Sequence, residues 1–232
     1  MKRVLLKLSG EALSGASGNI YDNAFVDSVA ENLVKAAKSG FEIGLVIGAG
    51  NIWRGRQGGE MDRVKADQMG MLATVSNSLC MKDAIIRAGV PAVVMTAVAM
   101  PPFAEPYSAE RAKAYLSEGK IVIFGAGLGM PFISTDTAGA VRAAEIGAEA
   151  MYMAKNIDYI YTADPRKDPN AEKLLTVKCS EILSRGLAAI DFTAAAFCMS
   201  VGMPIRIFGL AHPEDILKAL TGEKVGTVVT AD

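Results

Sequence analysis

The chain has 232 residues, of which 51% are hydrophobic, and carries 24 basic against 25 acidic residues for a net charge of −1. That length and apolar content suit one domain spanning 1–232 with a large core, and the balanced charge excludes a general basic field for a nucleic-acid polymer or an anionic membrane. No apolar run reaches the roughly 20 residues of a membrane span, no signal-peptide pattern occurs, Cys80, Cys179 and Cys198 lack CxxC spacing, and a single His212 leaves little material for structural zinc or histidine catalysis, so a cytosolic, cytoplasmic protein is expected.

The first apolar run, 3–8, reads as a strand and carries Lys7 near its end. Asp22 is placed to cap a helix in which Phe25, Val29, Leu33 and Ala36 share one face. Gly40 closes that helix before the strand 41–48, which gives a βαβ unit. A long helix is expected over 60–88, with Val64, Met71, Val75 and Leu79 on a common stripe. Val- and Ile-rich runs at 91–98, 121–126, 149–154, 158–162, 204–209 and 226–230 predict further strands, and shorter helices fit 109–118, 136–147, 191–201 and 213–220. Strands apolar on both faces and alternating with helices predict an α/β fold: a three-layer αβα sandwich with an open, mainly parallel sheet of about eight strands.

Three strands run directly into glycine-rich turns: KLSG at 7–10, GAGN at 48–51 and GAGLG at 125–129. Beyond the carboxyl ends of parallel strands, such glycines let backbone N–H groups approach phosphate oxygens, and helix N-termini add partial positive charge. The Walker loop is excluded because Gly119-Lys120 is followed by Ile121, and GxGxxG fails at Trp53 and Met130. Charged side chains collect at the same places: Lys7 in the first turn, Arg54 after the second, and Asp136 at the start of a helix. Lys7 and Asp136 have ordinary readings too, as a solvated strand-end charge and a first-turn acid compensating the helix dipole.

With these residues assembled, the chain resembles the bacterial uridylate (UMP) kinases of the amino-acid-kinase superfamily. The likeness rests on LKLSGEAL, VIGAGNIWRG, ADQMGMLAT, PFISTDTAG, YTADPRKDP and MPIRIFG, which occur in one order across nearly the whole chain. The resemblance implies transfer of the γ-phosphoryl of ATP, with Mg2+ held mainly by phosphates, to the phosphate of UMP, giving UDP and ADP in pyrimidine nucleotide biosynthesis. An acceptor phosphate is already ionised at neutral pH, so such a transfer needs positioning and charge stabilisation rather than a general base.

Carried over residue by residue, the resemblance implies that Lys7, Leu8, Ser9 and Gly10 cradle the ATP phosphates, that Gly50 and Arg54 serve the transfer point, and that Asp136 orients lysine. Lys155, Tyr161 and Asp164 fall near the base, ribose and phosphates of ATP. For UMP it implies the Ala49 backbone, Asp67 at the ribose, and the wrap formed by Leu128, Gly129, Met130, Pro131, Phe132, Ile133, Ser134 and Thr135. The segment Gly15, Ala16, Ser17, Gly18, Asn19 and Ile20 matches one linked to GTP response, and the resemblance further implies a homo-hexamer activated by GTP and inhibited by UTP. The sequence departs from the usual pattern at Ala49, where the family commonly has glycine, at Tyr159, again in place of glycine, and at Lys155, where neighbours place the lysine one position away. Kinases of acetylglutamate, aspartate, carbamate and isopentenyl phosphate share the scaffold; Asp67 with MGMLAT, and PFISTDT, favour UMP over a carboxylate acceptor. A non-catalytic nucleotide- or oxyanion-binding protein is the alternative of a different class.

Overall fold

The computed structural model describes residues 2–15, 19–53, 59–187 and 189–232. In chain order the first half comprises β1 (Lys2–Leu8), a short 3-10 turn (Gly10–Ser14), α1 (Asn23–Lys38), β2 (Phe41–Ile47), α2 (Arg63–Arg87), β3 (Ala92–Thr96), β4 (Glu105–Pro106), α3 (Ala109–Ser117) and β5 (Ile121–Gly125). The second half comprises α4 (Thr135–Ile146), β6 (Ala150–Lys155), β7 (Ile160–Tyr161), β8 (Lys173–Leu174), β9 (Thr176–Lys178), α5 (Cys179–Arg185), α6 (Phe192–Val201), β10 (Ile205–Gly209), α7 (Asp215–Thr221) and β11 (Thr227–Thr230). Among the described residues no helix is long and apolar enough to cross a membrane.

The expected αβα sandwich is present, with helices on both faces of a mostly parallel sheet. Among the described residues the sheet has nine strands in the order β4-β3-β5-β2-β1-β6-β10-β11-β9, of which β10 and β11 pair antiparallel and the others parallel. The expected strand at 158–162 is a correction: only Ile160–Tyr161 is extended, and it pairs with β8 in a separate two-stranded ribbon. Polar and charged residues around it, Asp158 and Lys173 among them, remove the apolar second face that a central strand requires. The short β4, β8, β9 and helix α5 are additions that periodicity could not reveal, because two to seven residues do not establish a period.

Local chemistry explains the long elements. Asp22 caps α1, its carboxylate accepting from the Phe25 N–H at 3.1 Å, and Ser39 with left-handed Gly40 ends it. In α2 the buried face carries Ala66, Ala73, Thr74, Asn77, Ser78, Met81 and Ile85, while Val64, Met71 and Leu79 of the expected stripe are only half-buried. Polar residues therefore line much of the inward face of this helix, which a search for apolar stripes passes over.

Strand parity sets up the site. In β1, Val4, Leu6 and Leu8 join the core beneath α1, α2 and α7, whereas Leu5 joins the opposite core beneath α3, α4, α5 and α6. Lys7 has the parity of Leu5 and thus projects toward α4. In β6, Met151 and Met153 belong to that same core, so Lys155 at the strand end points the same way. The two strands are parallel neighbours, with Lys7 opposite Met153. The connections that follow β1 and β6 run to opposite sides of the sheet, toward β2 and toward β9 and β10, and open parallel sheets bind ligands at such a point.

Two glycines permit the close approaches. A Cβ on Gly139 of α4 would lie 2.6 Å from Met151 Cε and 3.2 Å from Leu5 Cδ2, so a side chain there would have to displace these two buried core side chains for the helix to sit as close to β1 and β6. A Cβ on Gly10 would lie 2.2 Å from the Gly48 carbonyl oxygen and 2.8 Å from the Gly50 nitrogen, because the turns after β1 and β2 interlock backbone to backbone. Gly10→Ala is expected to lower stability by at least about 1–3 kcal/mol through forced displacement of the second turn. Urea denaturation midpoints of the variant and the parent check this.

Candidate active site

The turns after β1, β2, β5 and β6 face one continuous depression. Its centre is a cleft of about 550 Å³ bordered by Lys7, Ser9, Gly10, Glu11, Gly48, Ala49, Gly50, Trp53, Asp67 and the 132–136 segment. On one side it opens into a slot of about 140 Å³ beside Asp67, lined by Met71, Thr74, Leu128, Met130 and Ile133. On the other side, across Glu11, a chamber of about 850 Å³ is lined by Lys155, Asp158, Tyr161, Asp164, Arg166 and Gly209.

At the floor of the cleft Asp136 bridges two lysines. Lys7 Nζ lies 2.8 Å from Asp136 Oδ1 and Lys155 Nζ 2.6 Å from Oδ2. Lys155 Nζ also donates to the Ala189 carbonyl at 2.5 Å. Lys7 and Asp136 are only 7% and 8% exposed, so the interaction is screened little by solvent. Burial by itself would raise the Asp136 carboxyl, but the Lys7 and Lys155 ammonium groups outweigh it and hold the group at about 2. Burial also pushes the Lys155 ammonium below the ordinary lysine value, with Asp136 opposing that shift. By themselves one carboxylate and two ammonium groups leave a positive charge at the floor of the cleft, offset in part by Asp191, whose charge also acts on Lys155.

The first turn of α4 is fixed independently. Ser134 caps it, accepting from the Asp136 and Thr137 N–H groups at 3.1 Å each. Asp191, at the N-cap of α6, accepts from the Ser134 hydroxyl and, at 3.0 Å, from Thr137 Oγ1. Asp191 therefore ties the two helix starts together and holds Asp136 in place. It escaped the residue-level reading, although an acid immediately before the helical run at 192–201 is a cap signal.

Around the slot, Asp67 accepts from Arg63 Nε at 2.9 Å through each oxygen and from the Phe132 N–H at 2.9 Å. Phe132 takes a left-handed φ of 67°, uncommon for a bulky residue and costing on the order of 1–2 kcal/mol. The neighbouring turn repeats the device at Ala126, φ 61°, whose N–H donates to Thr74 Oγ1 at 2.9 Å. Strain thus collects in the segment that walls the slot.

The expected site residues sort as follows. Lys7, Ser9, Gly10, Ala49, Gly50, Asp67, Leu128, Met130, Phe132, Ile133, Ser134, Thr135 and Asp136 border the cleft or slot. Lys155, Tyr161 and Asp164 border the chamber, and Lys155 also reaches the centre. The Leu8 side chain is buried in the core, so its backbone alone is near, its carbonyl accepting from the Gly48 N–H at 2.9 Å. A Cβ on Gly129 would sit against Ala97 and Val98 rather than in the slot, and Pro131 borders none of the three spaces. Ala49 is not among the residues with positive φ, so the turn accepts a side chain there. Arg54 and Ala16, Ser17 and Gly18 lie outside the described residues, while the Ile20 carbonyl accepts from Asn51 Nδ2 at 2.9 Å. Trp53, Arg63, Asp158 and Asp191 were not anticipated.

The amino acid kinase family matches residues 2–209. Among solved structures, the UMP kinase of Bacillus anthracis is similar over 100% of this chain and 96% of its own, with a TM-score of 0.95 and 34% identity. The UMP kinase of Ureaplasma parvum gives 0.93 and 32% over 99% of this chain and 98% of its own. The uridylate kinase of Archaeoglobus fulgidus gives 0.74 and 27% over 99% and 100%.

The ionised Asp136 has a pH consequence with a fixed sign. Its folded value lies below the ordinary carboxylate value, so its contribution is present above about pH 4 and is lost as pH falls toward about 2. The expected loss is roughly 2 kcal/mol over that window. At neutral pH Asp136→Asn is expected to cost about 3–5 kcal/mol, because two buried ammonium groups then face each other uncompensated. Urea melts of parent and variant at pH 7 and pH 3 check both, the gap between them narrowing at the lower pH.

Proposed function

The chain belongs to the amino acid kinase family, and on that premise we propose that it is a UMP kinase, moving the γ-phosphoryl of ATP to UMP to give UDP and ADP. The observation that carries this reading is the Lys7–Asp136–Lys155 bridge, placed between a small slot with a carboxylate at its edge and a large chamber across Glu11. A nucleoside monophosphate suits the first and a nucleoside triphosphate the second, with their phosphates meeting over the lysines.

In the transfer, an oxygen of the UMP phosphate forms the new bond to the γ-phosphorus, while the bond from that phosphorus to the bridging oxygen of ATP breaks and ADP leaves with the electron pair. No proton has to be removed from the ionised acceptor. Lys7 and Lys155 neutralise charge gathering on the transferred group and the leaving oxygen, and Asp136 keeps both ammonium groups in position. The Gly10 and Gly50 turns bring backbone N–H groups close to the phosphates. Among the described residues no cluster of three or more acidic, histidine or cysteine side chains suits a metal, and Asp136 is already engaged by both lysines. This donor set fits Mg2+ that arrives on ATP and is ligated mainly by phosphates, where it would screen charge between donor and acceptor.

Asp67 takes the ribose hydroxyls, since a carboxylate accepts two hydrogen bonds at once, and the slot lined by Met71, Leu128 and Met130 takes the pyrimidine. Tyr161 and Asp164 serve the ATP side, and Arg54 the transfer point. One domain carries the whole reaction. The same reading includes a homo-hexamer in the cytoplasm, acting in pyrimidine nucleotide biosynthesis, activated by GTP through the 15–20 segment and inhibited by UTP.

A coupled ADP-release assay with UMP, CMP and acetylglutamate tests the reading: turnover with UMP far above the others is expected, and equal turnover with CMP rejects the uridine assignment. Lys7→Ala is expected to lower kcat by roughly 10²–10³ with UMP affinity little changed. Asp67→Ala is expected to weaken UMP much more than ATP, as read by calorimetry.

A further inference from the structure

Asn77 stands in the inward face of α2 and is fully buried. A buried side-chain amide in a helix is unfavourable unless every polar atom finds a partner, so its partners indicate why it is there. Asn77 Nδ2 donates to the Gly48 carbonyl at 2.7 Å and to Asn51 Oδ1 at 2.8 Å. Its Oδ1 accepts from Asn51 Nδ2 at 3.1 Å, and that nitrogen also donates to the Ile20 carbonyl at 2.9 Å. Only a primary amide brings two donors and an acceptor to this place; a hydroxyl has one donor and a shorter reach.

The Gly48 N–H is held as well, donating to the Leu8 carbonyl at 2.9 Å. Gly48 is thus fixed at both of its polar groups, between the end of β1 and the middle of α2. The following peptide is trans and planar, so its carbonyl and the Ala49 N–H point in opposite directions. Holding the carbonyl against Asn77 therefore sets the direction of the Ala49 N–H, and Ala49 borders both the central cleft and the slot.

We propose that Asn77 is a positioning residue for the acceptor: through the Gly48 carbonyl, with Asn51 as brace, it aims the Ala49 N–H at the acceptor's phosphate. This rests on the UMP reading for the identity of the acceptor. Asn77 borders neither the cleft nor the chamber, and its effect is expected mainly on the acceptor side, because the Gly48 carbonyl it holds leads directly into Ala49, while Gly10 is reached only through packing against Gly48. The donor chamber, lined by Glu11, Ala12, Gly15 and Phe25 as well as by residues in and after β6, β7 and β10, is bordered by none of Asn77, Asn51 and Gly48.

The test uses Asn77→Asp, nearly the same shape but with an acceptor facing the Gly48 carbonyl, together with Asn77→Ser and the partly exposed Asn51→Ala. Steady-state kinetics on the full chain are expected to show KM for UMP raised at least tenfold in Asn77→Asp and less in Asn51→Ala, with KM for ATP within twofold. In the ligand-free protein, the Ala49 amide resonance is expected to shift and its hydrogen exchange to quicken in each variant. A parallel rise of both KM values, unchanged KM for UMP, or an unmoved Ala49 resonance overturns the proposal. If Asn77→Asp fails to fold, Asn77→Ser and Asn51→Ala decide by the same readouts. If the parent protein shows no turnover with UMP, the substrate reading fails by itself, and the Ala49 resonance still decides whether Asn77 positions that peptide.

Discussion

A single buried carboxylate between two lysine ammonium groups governs the architecture around it. Without Asp136, Lys7 and Lys155 would be two like charges in a space from which water is largely excluded, a state that breaking a buried ion pair penalises heavily. With it, the three groups together stay positive and face the cleft, Asp191 offsetting part of that charge at Lys155. A buried ion pair is not in itself a good way to stabilise a protein, since its desolvation cost can exceed its attraction. On the proposed reaction its retention is intelligible as preorganisation: the charges that would meet the transferring phosphoryl are already desolvated and aimed before the substrates arrive.

The rest of the fold serves that geometry. Parity in β1 and β6 sends both lysines to one face, and parallel pairing of the strands sets them side by side. Gly139 lets α4 descend onto those strands, so that Asp136, one turn earlier, lies over Lys7. Ser134 and Asp191 fix that helix start, and the interlocked turns at Gly10 and Gly48 bring the backbone of β2 to the same centre. Two of these steps are close approaches, α4 against the buried Met151 and Leu5 side chains and the Gly10 and Gly48 turns backbone to backbone, so small residues at the contacts matter as much as the charges they position.

Much of this was legible in the sequence. The layers, the long strands and the helices follow from apolar runs alternating with capped helical periods, and α1 and α4 begin and end within a residue or two of expectation. Lys7 and Asp136 were marked by position, one at a strand end before Ser-Gly and one in the first turn of a helix. Their mutual distance was not, because it depends on how far α4 sinks onto β1. The register of the second lysine could have been inferred: in AMYMAK the buried methionines at 151 and 153 share parity with Lys155. Asn77 was invisible because a polar residue inside a helix reads as solvent-facing until a carbonyl is found opposite it. The strand expected at 158–162 was misassigned because a short run such as Tyr159, Ile160 and Tyr161 looks the same in a two-stranded ribbon and in a central strand.

The most direct test of the account is a double-mutant cycle on the phosphoryl-transfer step itself, measured by rapid quench in single turnover with ATP and UMP for Lys7→Ala, Asp136→Ala and the pair. If Asp136 works by holding Lys7 and Lys155, the double variant will transfer phosphoryl about as slowly as the worse single variant, a strong departure from additivity. Additive losses would contradict it, showing that the lysine and the aspartate act independently and that the bridge at the floor of the cleft is not the organising interaction.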